Sequence, residues 1–160
     1  MIYDNSTIRR QDRLLDETAA MELLHGGEYG FMSLADHGNP YVVPMSYAVK
    51  GDRIYFHCAP EGVKLRLIEK NDLACFCIVG ETKVQPDKFT TLYESVMAFG
   101  RIAFVEYNNE CMTALELLLD KYSPNDKTAG LKYAANSLTR TRVLCMTIER
   151  ISGKTKSLKP

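Results

Sequence analysis

The stretch YGFMSLADHGNPYVVPMSYAVKGDRIYFHCA, residues 29 to 59, decides the fold class. Three apolar runs, at 29 to 35, 41 to 49 and 53 to 59, are separated by DHGNP and KGD, short polar connections of the kind that turn one antiparallel strand into the next. A β-meander is expected. Pro44 falls inside the second run and has no N–H to give a ladder, so that strand is expected at a sheet edge or bulged there. Such a bulge would expose backbone groups to a ligand.

Toward the N-terminus, Asp16 is placed to cap a short helix over ETAAMELLH, 17 to 25. Ala20, Leu23 and Leu24 share a face of it, and Gly26-Gly27 supplies the stop. It reads as a lid-like helix behind a polar arm, residues 1 to 15, whose Arg9, Arg10 and Arg13 read as solvated. Toward the C-terminus, GVKLRLIEK (62 to 70) carries Leu65 and Ile68 at helical spacing, and LACFCIVG (73 to 80) reads as a buried strand. Cys75 and Cys77 alternate on one face of that strand and are expected to be buried. The segment 81 to 93 is mixed in character. SVMAFGRIAFVEY, 95 to 107, reads as a long strand with a bulge at Gly100. Asn108 is placed to cap a further helix whose apolar stripe, Met112, Leu115, Leu118, Leu119 and Tyr122, suits core packing and ends at Ser123-Pro124. A short helix around Tyr133 and a last strand, RVLCMTIERI (142 to 151), precede a basic tail, 152 to 160, carrying Lys154, Lys156 and Lys159.

About six strands with two or three marginal helices, in one domain spanning 1 to 160, predict an α+β fold: an antiparallel barrel with peripheral helices, not a doubly wound sheet. Neither G-x-G-x-x-G after a strand nor G-x-x-x-x-G-K-[ST] occurs, so dinucleotide and P-loop sites of those types are not expected. Hydrophobic residues make up 46% of the chain, enough to build a real core. Lys+Arg and Asp+Glu balance at 20 each, which gives no overall field to recruit nucleic acid or an anionic membrane, and neither is expected as a partner. Five scattered cysteines without a C-x-x-C pair suit neither a disulfide framework nor a zinc site; no metal and a reducing, cytoplasmic location are expected. No signal-like segment or 18-residue apolar run appears, so export and membrane spanning are not expected either.

The segment richest in chemistry is FHCAPEGVK, residues 56 to 64, where a strand end passes through Pro60 and Gly62 into a helix. Free N–H groups and the positive end of the dipole make a helix N-terminus a place for phosphate. Lys64 in the first turn opposes that dipole unless an anion sits between them; the competing reading is a solvated surface lysine. His57, taken alone, reads more readily as a packed or hydrogen-bonded histidine than as a catalyst.

The ordered set RRQDR (9 to 13), GEYGFMSLADHGNPYVVPMSYAV (27 to 49), RIYFHCAPEGVK (53 to 64), VGETKVQPDKFTTLYESV (79 to 96), FGR (99 to 101) and ISGK (151 to 154) closely resembles one family. It is that of the pyridoxamine 5′-phosphate oxidase-like flavoproteins, in the branch related to 5-nitroimidazole-resistance (Nim) reductases. The resemblance implies a split β-barrel homodimer with FMN in clefts between the subunits. Lys64 matches the family's phosphate-binding lysine. His57, Cys58 and Ala59 match the strand end lining the cofactor cleft, and Pro44, Met45, Ser46 and Tyr47 match the strand whose backbone runs beside the flavin ring. Ser95 matches a polar flavin-contacting position, and His57 matches a histidine on the substrate side of the flavin, a candidate proton donor. The chain departs from the oxidases that name the family: it has no Trp, and its C-terminal region reads TRTRVLCMTIERISGKTK in place of an Arg/His-rich substrate motif. Oxidation of pyridoxamine phosphate is therefore not expected. The resemblance implies an FMN-dependent reductase of small electrophilic molecules such as nitroaromatics. The alternatives are a non-catalytic flavin-binding or sensing protein and a haem-binding member of the same fold.

Overall fold

A computed structural model describes residues 1 to 36, 38 to 106 and 109 to 157. Among them are eight strands and four α-helices. The strands are β1 (Ile2–Tyr3), β2 (Gly30–Asp36), β3 (Asn39–Met45), β4 (Ala48–Lys50), β5 (Arg53–Cys58), β6 (Leu73–Gln85), β7 (Thr90–Phe104) and β8 (Arg142–Lys156). The helices are α1 (Glu17–Gly26), α2 (Val63–Lys70), α3 (Asn109–Tyr122) and α4 (Lys127–Ser137). The expected cap Asn108 and the tail residue Lys159 lie outside the described residues.

One sheet runs in the order β3-β2-β6-β7-β8-β5-β4, antiparallel throughout, with β1 added parallel to β8. Its two ends, β3 and β4, are joined in sequence by only Ser46 and Tyr47. So short a link forces opposite ends of the sheet close together, and the sheet curls into a barrel that is split along this seam. Pro44 sits on the edge strand β3, as its missing donor requires.

Alternate residues fill the barrel: Met32 and Leu34 from β2, Ile54 and Phe56 from β5, Phe76 and Ile78 from β6, Val96 and Ala98 from β7, Leu144, Met146 and Ile148 from β8. Helix α1 is part of this core and not a lid, because Ala20 and Leu24 are fully buried in it. Asp16 caps α1 as expected, its side chain accepting from the Ala19 N–H at 2.9 Å. On the other side of the sheet, Ala48, Tyr55, Val143 and Cys145 form a second core with Ala114, Leu115 and Leu118 of α3 and Ala134 of α4.

Three sequence expectations are corrected. Residues 81 to 93, mixed in character and assigned to no strand, are regular: β6 and β7 continue as a long hairpin through a turn at Pro86–Lys88. The tail and arm are partly structured, since β8 runs to Lys156, Gly153 N–H donates to Asn5 Oδ1 at 3.0 Å, and Tyr3 OH donates to the Leu15 carbonyl. Cys75 and Cys77 point away from the barrel interior and are half-buried, because the core face of β6 belongs to Ala74, Phe76 and Ile78. The irregularity at Gly100 is present, but the unpaired residue is Glu149 on β8, with Phe99 opposite Arg150 and Gly100 opposite Ile148. A Cβ on Gly100 would lie 1.9 Å from the Thr147 carbonyl oxygen, so only glycine fits.

Candidate functional site

The α3–α4 hairpin covers the outer face of β4, β5 and β8. It leaves a cavity of about 390 Å³ beside the seam, lined by Ser46 and His57 from the sheet side and by Leu118, Leu119, Tyr122 and Tyr133 among the helix residues. His57 reaches it because it shares the outward side of β5 with Tyr55 and stands opposite Val143. The imidazole is open to the cavity but has protein packed around it, and this burial moves its pKa below the ordinary 6.5. At pH 7 it is a neutral imidazole. Neither His57 nor Ser46 uses its side chain in a hydrogen bond to another described residue.

The two seam residues have opposite roles. Ser46 opens onto the cavity, whereas Tyr47 is fully buried, with its ring against Phe76 and its hydroxyl donating to the Leu24 carbonyl at 2.6 Å. The last residue of α3 clamps the seam from outside: Tyr47 N–H donates to the Tyr122 oxygen at 2.9 Å, and Tyr122 OH donates to the Glu28 carbonyl at 2.6 Å. Next to it, Lys121 places its ammonium over the Tyr47 ring. Pro44 is exposed on β3 and Met45 is buried.

A second feature lies at the end of β5. Cys58 faces the barrel core and Ala59 is exposed where the chain turns toward α2. Helix α2 has no side-chain N-cap, no acidic residue in its first turn, and Gly62 at its N-cap with φ 139°. That conformation favours glycine, and a Cβ there would meet nothing within 4 Å, so the helix end faces open space. Half-buried Lys64 stands in this turn. Burial pushes the Cys58 thiol up, while Lys64 and Arg142 both pull it down, which puts two cations close to the strand end. Uncapped N–H groups, room and two positive charges suit a phosphate.

Ser95 is not brought to either feature. It stands on the outward face of β7, in a lateral row with Val79 of β6 and Lys154 of β8. Among the described residues no helix covers this face of β2, β6 and β7, and it holds a row of Phe31, Cys77 and Met97 in direct register. Phe31 is 37%, Val79 48% and Met97 39% exposed.

Sequence reasoning assigned no functional role to Lys121, Tyr133 and Ala134. The α3 stripe was legible as core packing, but nothing in its spacing tells which of its residues face a cavity. Among the described residues no group of three or more His, Cys, Asp or Glu side chains could hold a metal ion, and no helix is long and apolar enough to cross a membrane.

Residues 16 to 155 match the sequence model of the family described as pyridoxamine 5′-phosphate oxidase. No curated protein matches the chain. Among solved structures, a candidate 5-nitroimidazole antibiotic resistance protein from Bacteroides thetaiotaomicron superposes with TM-score 0.72 at 23% identity, over 89% of this chain and 86% of that one. A flavocytochrome from Azotobacter vinelandii gives TM-score 0.75 at 21% identity, over 91% and 69%. An FAD-binding protein from Mesorhizobium loti gives 0.65 at 20% identity, over 91% and 98%. At these identities the likeness is one of fold, the split barrel that the sequence resemblance implied.

Proposed function

Since the chain belongs to the pyridoxamine 5′-phosphate oxidase family, we propose that it is a homodimeric FMN-dependent reductase of small electrophilic organic molecules. The observation that carries this reading is the adjacency, along one strand end, of an uncapped cationic helix N-terminus at Gly62–Lys64 and an imidazole, His57, that opens into a cavity. When bound, FMN would supply two-electron chemistry, the transfer of a hydride from a nicotinamide-type donor to an acceptor such as a nitro group. Lys64 and the first N–H groups of α2 would hold its phosphate. The backbone of Pro44, Met45, Ser46 and Tyr47, held in place by the bonds from Tyr47 to Leu24 and Tyr122, would flank the ring. His57 hydrogen-bonds the acceptor and exchanges a proton at a ring nitrogen.

The uncovered face of β2, β6 and β7 supports a second copy of the chain as partner, because a row of Phe31, Cys77 and Met97 left in water loses hydrophobic stabilisation that an interface recovers. Ser95 and Lys154 lie on that same face, so a flavin in contact with them would sit at this interface, in a cleft shared between subunits.

The test is optical and kinetic. Purified protein titrated with FMN is expected to bind one equivalent per chain. With dithionite-reduced FMN bound, it is expected to reduce a nitroaromatic or quinone faster than free reduced FMN does. No flavin binding, or no acceleration over free reduced FMN with any such acceptor, overturns the proposal.

A further inference from the structure

We propose that the wall contributed by α3 and α4 is the specificity element of the acceptor site, and that it admits uncharged aromatic rings while rejecting anionic ones. This rests on the reductase reading and adds the substrate class to it. None of the twelve residues lining the cavity is Lys, Arg, Asp or Glu. A carboxylate or phosphate entering it would shed water without meeting a counter-charge among the lining residues, and His57 is neutral at pH 7.

Three of the polar groups on the helical wall are already engaged, which leaves the hydroxyls of Ser123 and Tyr133. Ser137 Oγ donates to the Tyr133 carbonyl at 2.8 Å, Thr141 Oγ1 donates to the Ser137 carbonyl at 2.9 Å, and Tyr122 OH is bound to Glu28. What the wall offers a ligand is chiefly Leu115, Leu118, Leu119, Ala134 and the tyrosine rings. Opposite it, Ser46 and His57 retain free hydrogen-bonding capacity at the sheet end. The cavity is thus apolar on one side and polar at one edge, with a volume of about 390 Å³, in the range of small-molecule sites. A flat neutral ring with one polar substituent, turned toward His57, matches that division. Within the lining Leu119 packs closely on Gly130, where a Cβ would meet its Cδ2 at 2.4 Å.

The test compares nitrobenzene with 4-nitrobenzoate, the same ring with and without a negative charge. Both are titrated into oxidised protein carrying labelled Leu and Ala methyl groups, first without and then with saturating FMN. Nitrobenzene is expected to shift the Leu119 and Ala134 methyls, and 4-nitrobenzoate to bind about tenfold more weakly or worse. Leu119→Lys, at a half-exposed position, is expected to narrow or reverse that ratio with FMN affinity unchanged. Equal affinities in the native protein, no methyl shift at Leu119 and Ala134, or an unaltered ratio in Leu119→Lys overturns the inference. Displacement of nitrobenzene by FMN also overturns it, since the flavin would then fill the cavity. The methyl titration needs no bound flavin, so a failure of flavin binding is read separately from a failure of this selectivity.

Discussion

Lys121 holds its Nζ 3.7 Å from the centroid of the Tyr47 ring and makes no hydrogen bond to any described residue. The ring face returns part of what the ammonium loses in leaving water, but not all of it: burial pulls the Lys121 pKa from 10.5 to about 8. Between those two values the unfolded chain holds a proton that the folded one has released, so stability attributable to Lys121 rises as pH climbs from about 8 to 10.5. Below about 8 both states are charged and the burial cost is felt in full. Lys121→Met is therefore expected to be more stable than the native protein at pH 7, with the advantage shrinking toward pH 10. Urea denaturation of both proteins at the two pH values checks this; a less stable variant at pH 7 would show that the cation–ring contact outweighs desolvation.

Tyr47→Phe tests the other side of the same seam. Its hydroxyl and the Leu24 carbonyl are buried together, so removing the donor leaves an acceptor at the end of α1 without a partner. A loss of roughly 1 to 3 kcal/mol is expected. A change in urea midpoint equivalent to less than about 0.5 kcal/mol would mean that water reaches Leu24 in the variant.

Much of this architecture was legible in the sequence because alternation is strict where one face is buried. The runs around Met32 and Phe56 and the proline at 44 gave strands, an edge and an antiparallel order. Less legible was anything set by the curl of the sheet. That Ser46 and Tyr47 close a seam follows from which strands lie at the two ends, a long-range property with no local signature. For the same reason Cys75 and Cys77 were expected inside: an apolar strand reads alike whether its second face meets a helix or another subunit. His57 and Lys64 were found by resemblance, while the lowered pKa of His57 depends on helices more than fifty residues away in the chain.

Self-association is expected through the row formed by Phe31, Cys77 and Met97. Met97→Lys puts a charge at one end of it without touching the barrel interior, since Val96 and Ala98 face inward. Light scattering is expected to give a dimer for the native chain and a monomer, or a strongly weakened dimer, for the variant, with little change in the thermal stability of the subunit fold. A dimer of undiminished affinity in Met97→Lys would move the interface elsewhere.

Lys64→Ala addresses the phosphate end. The lysine lies in the first turn of α2 with no acidic residue in that turn, so its loss removes one charge-assisted contact and leaves the helix N–H groups in place. FMN affinity is expected to fall by roughly 1 to 3 kcal/mol, about 5- to 150-fold in Kd, while riboflavin, which lacks the phosphate, binds the variant and the native protein alike. Equal weakening for both flavins would show that the substitution disturbed the cleft and not a phosphate contact.

His57 separates chemistry from binding. A neutral imidazole at pH 7, with its pKa below 6.5, is a weak proton source there, and its charged form grows as pH falls through the lowered folded value. If it delivers the proton that accompanies reduction, turnover per bound flavin rises toward acid pH and levels off below that pKa. His57→Gln, which preserves hydrogen bonding but cannot titrate, is then expected to lose about 100-fold or more of the acid-side rate and to flatten the profile. FMN affinity and dimerisation should be unchanged, because the side chain bonds to no other described residue. If His57 only orients the acceptor, Gln keeps most of the rate at every pH and KM carries the loss. Folding gives an independent check on the pKa. The unfolded histidine takes up a proton near pH 6.5 that the folded one resists, so the contribution of His57 to stability is complete above that pH and falls away below it. His57→Gln should remove this acid-side loss, and a stability profile identical to that of the native protein from pH 7 to pH 5 would show that the imidazole is not desolvated in the folded chain.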